Sequence, residues 1–144
     1  MHPYPHTYVA AAAADPSGLV AVTSAGLPRL DSAAPPEFDG PGGVWSPETL
    51  LSASLADCFI LTFRGVSRLA QLKWLHLECR VEADLTRVER LPQFTHFRTF
   101  ANLLVPPGTD IDSARALLEQ AEHRCLIANS LRGSRTLEAQ VTVA

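Results

Sequence analysis

One stretch constrains this chain more than any other: Ser46 to Leu72, SPETLLSASLADCFILTFRGVSRLAQL. Ser46 is a favoured N-cap, and Pro47 suits the first helical position, where a missing N–H costs nothing. Between Leu50 and Phe63 the apolar residues do not keep to one face. Leu50, Leu51, Leu55, Phe59, Ile60, Leu61 and Phe63 run right round the cylinder, the pattern of a helix buried on nearly all sides. At ~1.5 Å per residue the stretch is about 40 Å long, more than the diameter of a small domain. The chain must build its core around this helix, and a second copy is expected to cover the rest of it, giving a homodimer. A thiol, Cys58, stands near its middle.

With 144 residues, 47% of them hydrophobic, there is enough chain for one domain with a sizeable core, expected to span 1–144 with 1–6 as a flexible tail. The net charge of −3 and the lack of a basic run argue against nucleic acid or an anionic membrane surface as partner. The three cysteines, Cys58, Cys79 and Cys125, are odd in number and widely spaced. That is not a secreted disulfide framework, so a reducing, cytoplasmic setting is expected. The N-terminus lacks the basic region of a signal peptide, and Tyr8 to Ala14 is too short to cross a bilayer. The apolar run in the long helix falls short of about 20 residues and contains Asp57, which reads as core rather than membrane.

Thr7 to Ala13 and Gly18 to Ser24 read as two strands with a turn at Asp15-Pro16-Ser17-Gly18, and Asp31 to Gly43, rich in Pro and Gly, as a connector. After the helix, Trp74 to Leu85 alternates, with Leu75, Leu77, Cys79, Val81, Ala83 and Leu85 on one face and charged residues on the other. Leu91-Pro92 is expected in a turn, followed by a partner strand from Phe94 to Val105. Thr109 or Asp110 then caps a second helix whose apolar stripe is Ala114, Leu118, Ala121 and Cys125. Leu137, Ala139, Val141 and Val143 alternate in a last strand. The predicted order is ββ–α–ββ–α–β, an α+β domain with mostly antiparallel sheet.

Cys79 lies on the apolar face of a strand and reads as a small hydrophobe. His76 and Cys79 point to opposite faces of that strand and do not make a ligand pair. Cys125 and Cys58, each taken alone, also read as core. Together they are the cysteines on the buried parts of two helices that must pack against each other. If the helices cross at these positions the sulfurs come within disulfide range, and a thiolate attacking an oxidant with a second thiol resolving it becomes possible. No Ser/His/Asp arrangement, phosphate-cradling glycine loop or metal-ligand cluster stands out, and no cofactor is expected.

The segment Trp45-Ser46-Pro47-Glu48-Thr49-Leu50-Leu51, followed by Ala56-Asp57-Cys58-Phe59, resembles the OsmC/Ohr family of thiol-dependent hydroperoxide reductases. Ala121-Glu122-His123-Arg124-Cys125-Leu126-Ile127-Ala128-Asn129-Ser130-Leu131 is similar to that family's second cysteine motif, and Phe38-Asp39-Gly40-Pro41-Gly42-Gly43 matches its glycine-rich approach. The resemblance covers nearly the whole chain. It implies an OsmC-like fold in an intertwined homodimer, with active sites at the subunit interface. It implies Cys58 as peroxidatic nucleophile, Cys125 as resolving thiol and Glu48 as the carboxylate that orients an activating arginine. An organic, alkyl or lipid hydroperoxide would be the substrate and an external dithiol the reductant, with Leu55, Phe59 and Phe63 walling an apolar pocket. Glu48 precedes Cys58 by ten residues, about 15 Å along one helix, so a Glu48 that shares a site with Cys58 must come from another chain.

The arginine of that family has no counterpart at either expected place. The first turn reads Asp15-Pro16-Ser17-Gly18, and the residue before Phe38 is Glu37. Arg29 is the nearest substitute. Arg64, six residues beyond Cys58, points about 120° away from it around the helix. His123 and Arg124 flank Cys125 instead. A rival reading follows from these absences: a non-catalytic OsmC-like dimer that binds a small apolar ligand in its interface pocket.

Overall fold

The computed structural model describes residues 2–144; Met1, the first residue of the expected tail, lies outside them. One compact unit ends at Leu51 and a second runs from Ser52 to Ala144. The long helix α1 (Pro47–Leu69) starts in the first and continues through the second.

The first unit carries an antiparallel sheet of three short strands, β1 (Ala11–Ala13), β2 (Val20–Thr23) and β3 (Leu30–Ser32), in the order β1-β2-β3. Two strands were expected here. The third lies at the start of the segment read as connector, because the proline and glycine punctuation begins only at Pro35. β1 is shorter than the expected Thr7–Ala13, since an exposed alanine run has no side chains to pack on a neighbour. Between Pro35 and Gly40 the chain makes a single 3₁₀ turn (Pro36–Phe38), with Asp39 left-handed at φ 58°. Gly40 then presses on its own loop, where a Cβ would stand 1.6 Å from the carbonyl oxygen of Ala34. Only glycine fits there.

Ser46 caps α1 as the sequence predicts. The Thr49 N–H donates to Ser46 Oγ (3.2 Å) and the Ser46 N–H donates to Thr49 Oγ1 (2.9 Å), a reciprocal box that satisfies two otherwise unpaired donors.

In the second unit, α1 buries Leu55, Cys58, Phe59, Phe63, Val66 and Ser67, spaced at three and four residues along one face. The all-round burial predicted from the apolar pattern is not met within one chain: Leu61 is 53% and Leu69 78% exposed. The apolar residues do encircle the helix, but a single sheet and a second helix reach only one flank. By length and composition α1 would also pass for a membrane span, with mean hydropathy 1.3, longer than the run counted from sequence. Here Phe59, Phe63 and Val66 join the core cluster with Leu77, Ala101, Leu103, Val105, Ala114, Leu118 and Ala121. Phe63 meets the Trp74 ring edge-on at 5.5 Å, and the Trp74 indole N–H donates to Ser67 Oγ at 3.1 Å.

The second sheet has the order β4-β5-β6, formed by β4 (His76–Val88), β5 (Leu91–Val105) and β6 (Ser134–Val143). β4 and β5 form a hairpin whose two turn residues, Glu89 and Arg90, both have positive φ, as a tight primed turn requires. Leu91-Pro92 is therefore strand rather than the expected turn. Pro92 is tolerated because β6 joins β5 only from His96 onward, so at Pro92 the strand has a single neighbour. β6 runs parallel to β5, since the connection between them is a helical crossover rather than a hairpin.

That crossover is α2 (Ile111–Arg124) followed by the one-turn α3 (Leu126–Asn129). The Asp110 carboxylate caps α2 by accepting from the N–H groups of Asp112 and Ser113. The stripe predicted for this helix is buried throughout, with Ala114, Leu118 and Ala121 sealed from solvent and Cys125 nearly so.

Candidate functional site

Cys125 occupies the break between α2 and α3, where φ −62° and ψ 109° turn the chain out of one helix and into the next. The break aims its side chain inward toward α1. Cys58 is buried on the packed face of α1, one turn before Thr62, whose Oγ1 lies 3.9 Å from its sulfur. The two thiols are neighbours: Cys58 lies close enough to Cys125 to raise its pKa, and none of the three cysteines is in a disulfide. Asp57, whose charge would oppose a thiolate, is on the exposed side of the helix.

Burial pushes the Cys125 thiol up to about 11, and its neighbour Cys58 adds to the rise. The opposing pull comes from the backbone amides of Ala128 and Ile127 rather than from a side-chain cation. Cys79, half-buried on the inward face of β4, is pushed up to about 12, again by burial first and by Cys125 second. A thiol held that high is protonated at neutral pH and behaves as the small hydrophobe read from the sequence. His76 is exposed and lies 3.5 Å from the Glu78 carboxylate, not turned toward Cys79.

A narrow crevice of about 10 Å³, room for about one water, opens beside Cys125. Leu55 and Phe59 of α1, Phe97 and Thr99 of β5, and Glu122, Ala128 and Arg135 complete its wall. Leu55 and Phe59 were expected to line a pocket. Phe63 was too, but the structure commits it to the core against Trp74. Sequence reasoning did not anticipate the charged pair. Arg135 Nε forms an ion pair with Glu122 Oε1 at 3.1 Å, and Arg135 Nη1 donates to Asn129 Oδ1 at 3.0 Å. One signal was available: Arg135 is in phase with Leu137, Ala139 and Val141, and Glu122 follows Leu118 by four, so each sits on the inward face of its element.

The remaining candidates have surroundings of their own. Glu48 is half-buried in the first turn of α1, in the first unit. Arg29 is exposed and its Nη2 pairs with Asp31 Oδ1 at 2.7 Å. Arg64, His123 and Arg124 are exposed. Among the described residues no group of three or more His, Cys, Asp or Glu side chains is arranged to hold a metal ion.

The family of OsmC-like proteins matches residues 40–140, which contain Gly40, Gly42 and Gly43 of the glycine-rich approach, α1 and both thiols. The chain belongs to that family. Among solved structures, this OsmC-like protein is similar to an organic hydroperoxide resistance protein OsmC from Legionella pneumophila, at 28% identity and TM-score 0.76, over 97% of this chain and 99% of that one. It is similar in fold to an OsmC-like protein of unknown function from Vibrio cholerae, at TM-score 0.85 and 15% identity over 94% and 99% of the two chains. An organic hydroperoxide resistance protein from Elizabethkingia anophelis, crystallised with thiocyanate bound, aligns at TM-score 0.77 and 22% identity over 99% and 100%. A comparison with characterised protein sequences finds no match. The α+β fold read from the sequence is thus the OsmC-like fold of these relatives.

Proposed function

We propose that this chain is a thiol-dependent peroxidase that reduces organic hydroperoxides. The observation that carries the reading is the meeting of Cys58 and Cys125 across two helices of an OsmC-like fold. Membership of a family that includes organic hydroperoxide resistance proteins supports it. In the reaction, the Cys58 thiolate attacks the distal oxygen of R–O–O–H. The S–O bond forms, the O–O bond breaks, and the alkoxide leaves to take a proton, giving ROH and a Cys58 sulfenic acid. The Cys125 sulfur then attacks the Cys58 sulfur. The disulfide forms as hydroxide leaves, and the proton lost by Cys125 makes it water. An external dithiol reduces the disulfide by exchange and returns both thiols.

The active form is a homodimer. The exposed Leu61 and Leu69 of α1, apolar side chains on the flank of a core helix, are the surface a second copy covers. The Glu48 that serves each Cys58 then belongs to the other copy, because ten residues of one helix hold the two apart. Arg29 is tied to Asp31 and keeps its guanidinium largely in solvent. The setting is cytoplasmic, where a reducing environment keeps the thiols cycling.

The test is consumption of cumene or tert-butyl hydroperoxide by the reduced protein under excess dithiothreitol, with intact-mass analysis of the oxidised species. Turnover that vanishes in Cys58→Ser, with loss of two mass units on oxidation of the parent protein, is expected. Turnover undiminished in Cys58→Ser, or no acceleration over a free thiol, refutes the reading.

A further inference from the structure

The Arg135 pair has no part in the steps above, yet it brackets the second of the two thiols. Arg135 is the second residue of β6, in register with Phe97, on a face otherwise given to Leu137, Ala139 and Val141. A guanidinium in that phase is kept only where its donors are met. Its Nε binds Glu122, three residues before Cys125, and its Nη1 binds Asn129, four residues after it. Asn129 in turn donates through Nδ2 to the carbonyl of His123 at 3.0 Å, and its backbone N–H donates to the Cys125 carbonyl at 3.0 Å. Glu122 is only 14% exposed and Arg135 26%, so the pair is shielded more than a surface ion pair.

We propose that Arg135 is a positioning residue for Cys125. By gripping the chain on both sides of the cysteine it holds the α2–α3 break against the sheet, in the geometry that brings the Cys125 sulfur to Cys58. The guanidinium acts through this geometry rather than as a cation for the sulfur, which is served by backbone amides. The inference rests on the thiol reading only in that the disulfide it favours joins Cys58 and Cys125; it does not need a hydroperoxide.

The test is the thiol–disulfide equilibrium with dithiothreitol. Oxidised dithiothreitol and the two protein thiols exchange to reduced dithiothreitol and the Cys58–Cys125 disulfide, two electrons passing from protein to reagent. The fraction oxidised is read by mass at a series of ratios, in a Cys79→Ala background. Arg135→Gln is expected to need roughly tenfold more oxidant for half-oxidation, the order of the coupling between residues of one ion-pair network. Arg135→Lys, which keeps one donor, should recover part of the loss, and Asn129→Ala, which leaves the ion pair with Glu122 intact, should fall between. A residue that only stabilised the fold would weaken reduced and oxidised protein alike and leave the ratio unmoved. A parental midpoint in both folded Arg135→Gln and Asn129→Ala overturns the inference while the thiol reading stands. A parent that forms no Cys58–Cys125 disulfide at any ratio overturns both.

Discussion

The reactivity of Cys125 gives the most direct quantitative check of the site. Its thiol is raised from an ordinary 9.0 to about 11, by burial and by Cys58. Near pH 7.5 that change cuts the thiolate from about 3% to about 0.03%, roughly a hundredfold, by simple titration. A more basic sulfur is also a better nucleophile, and over two pKa units that returns about sixfold to tenfold. Iodoacetamide should therefore alkylate native Cys125 about tenfold more slowly than an ordinary thiol, before its 2% exposure slows it further. The slope is the sharper signature. An ordinary thiol levels off near pH 9, whereas Cys125 should gain about tenfold per pH unit until near pH 11. Pulse alkylation across this range, read peptide by peptide by mass spectrometry, separates the three cysteines, with the guanidinium-unfolded protein as reference. Because Cys58 contributes to the rise, Cys58→Ala should move the Cys125 profile toward lower pH. A Cys125 profile that levels off near pH 9, or one unchanged in Cys58→Ala, would refute the claim that the two thiols meet in a buried site.

Other outcomes follow from the same structure. Phe63→Ala removes a fully buried ring from the core of the second unit and should cost about 3–5 kcal/mol in denaturant unfolding, with little change in slope. Leu61→Glu places a charge on the exposed flank of α1; light scattering should show the parent at twice the 15.6 kDa chain mass and the variant shifted to the single chain. Asp110 is held below the usual carboxylate range by its hydrogen bonds to Ser113 and Asp112. Its contribution is present above the ordinary carboxylate pKa and lost as pH falls through its lowered value, so Asp110→Ala should lower the melting temperature at neutral pH and lose that deficit in acid. Gly40→Ala should disrupt the loop of the first unit, where no side chain fits beside Ala34, and protease cleavage between Asp31 and Gly43 should rise sharply.

What the sequence revealed depended on whether one element sufficed to reveal it. The long helix, its Ser46 cap and the Asp110 cap were legible because caps and apolar spacing are local. The buried stripe Ala114, Leu118, Ala121 and Cys125 was legible for the same reason, since it needs only its own helix. The Glu89-Arg90 turn was misplaced because neither residue is a usual choice for positive φ, while Pro92 nearby carries a stronger turn signal. The third N-terminal strand was missed because three residues, Leu30 to Ser32, are too few to show alternation.

The site divides along the same line. Cys58 and Cys125 could be singled out because a thiol on a buried helical face is visible in one helix, and the meeting of the two required only that the helices pack. Glu122 and Arg135 could not be paired that way. Each taken alone is a charge in phase with an apolar face, an anomaly that more often means a helix end or a strand edge. Only the parallel placement of β6 beside β5 brings Arg135 to Phe97, under the end of α2, and only then does the Glu122 anomaly cancel the Arg135 anomaly. Two misplaced charges of opposite sign, on α2 and β6 with only α3 and a short turn between them, were the available clue. The physical rule behind it is that a charge kept on a core face must be matched by another, and the nearest such match along the chain is the first to test. Applied here, that rule leads from the apolar alternation of β6 back across α3 to the residue three before Cys125. Of the two thiols, it is the surroundings of the second, rather than the first, that a charge pair holds.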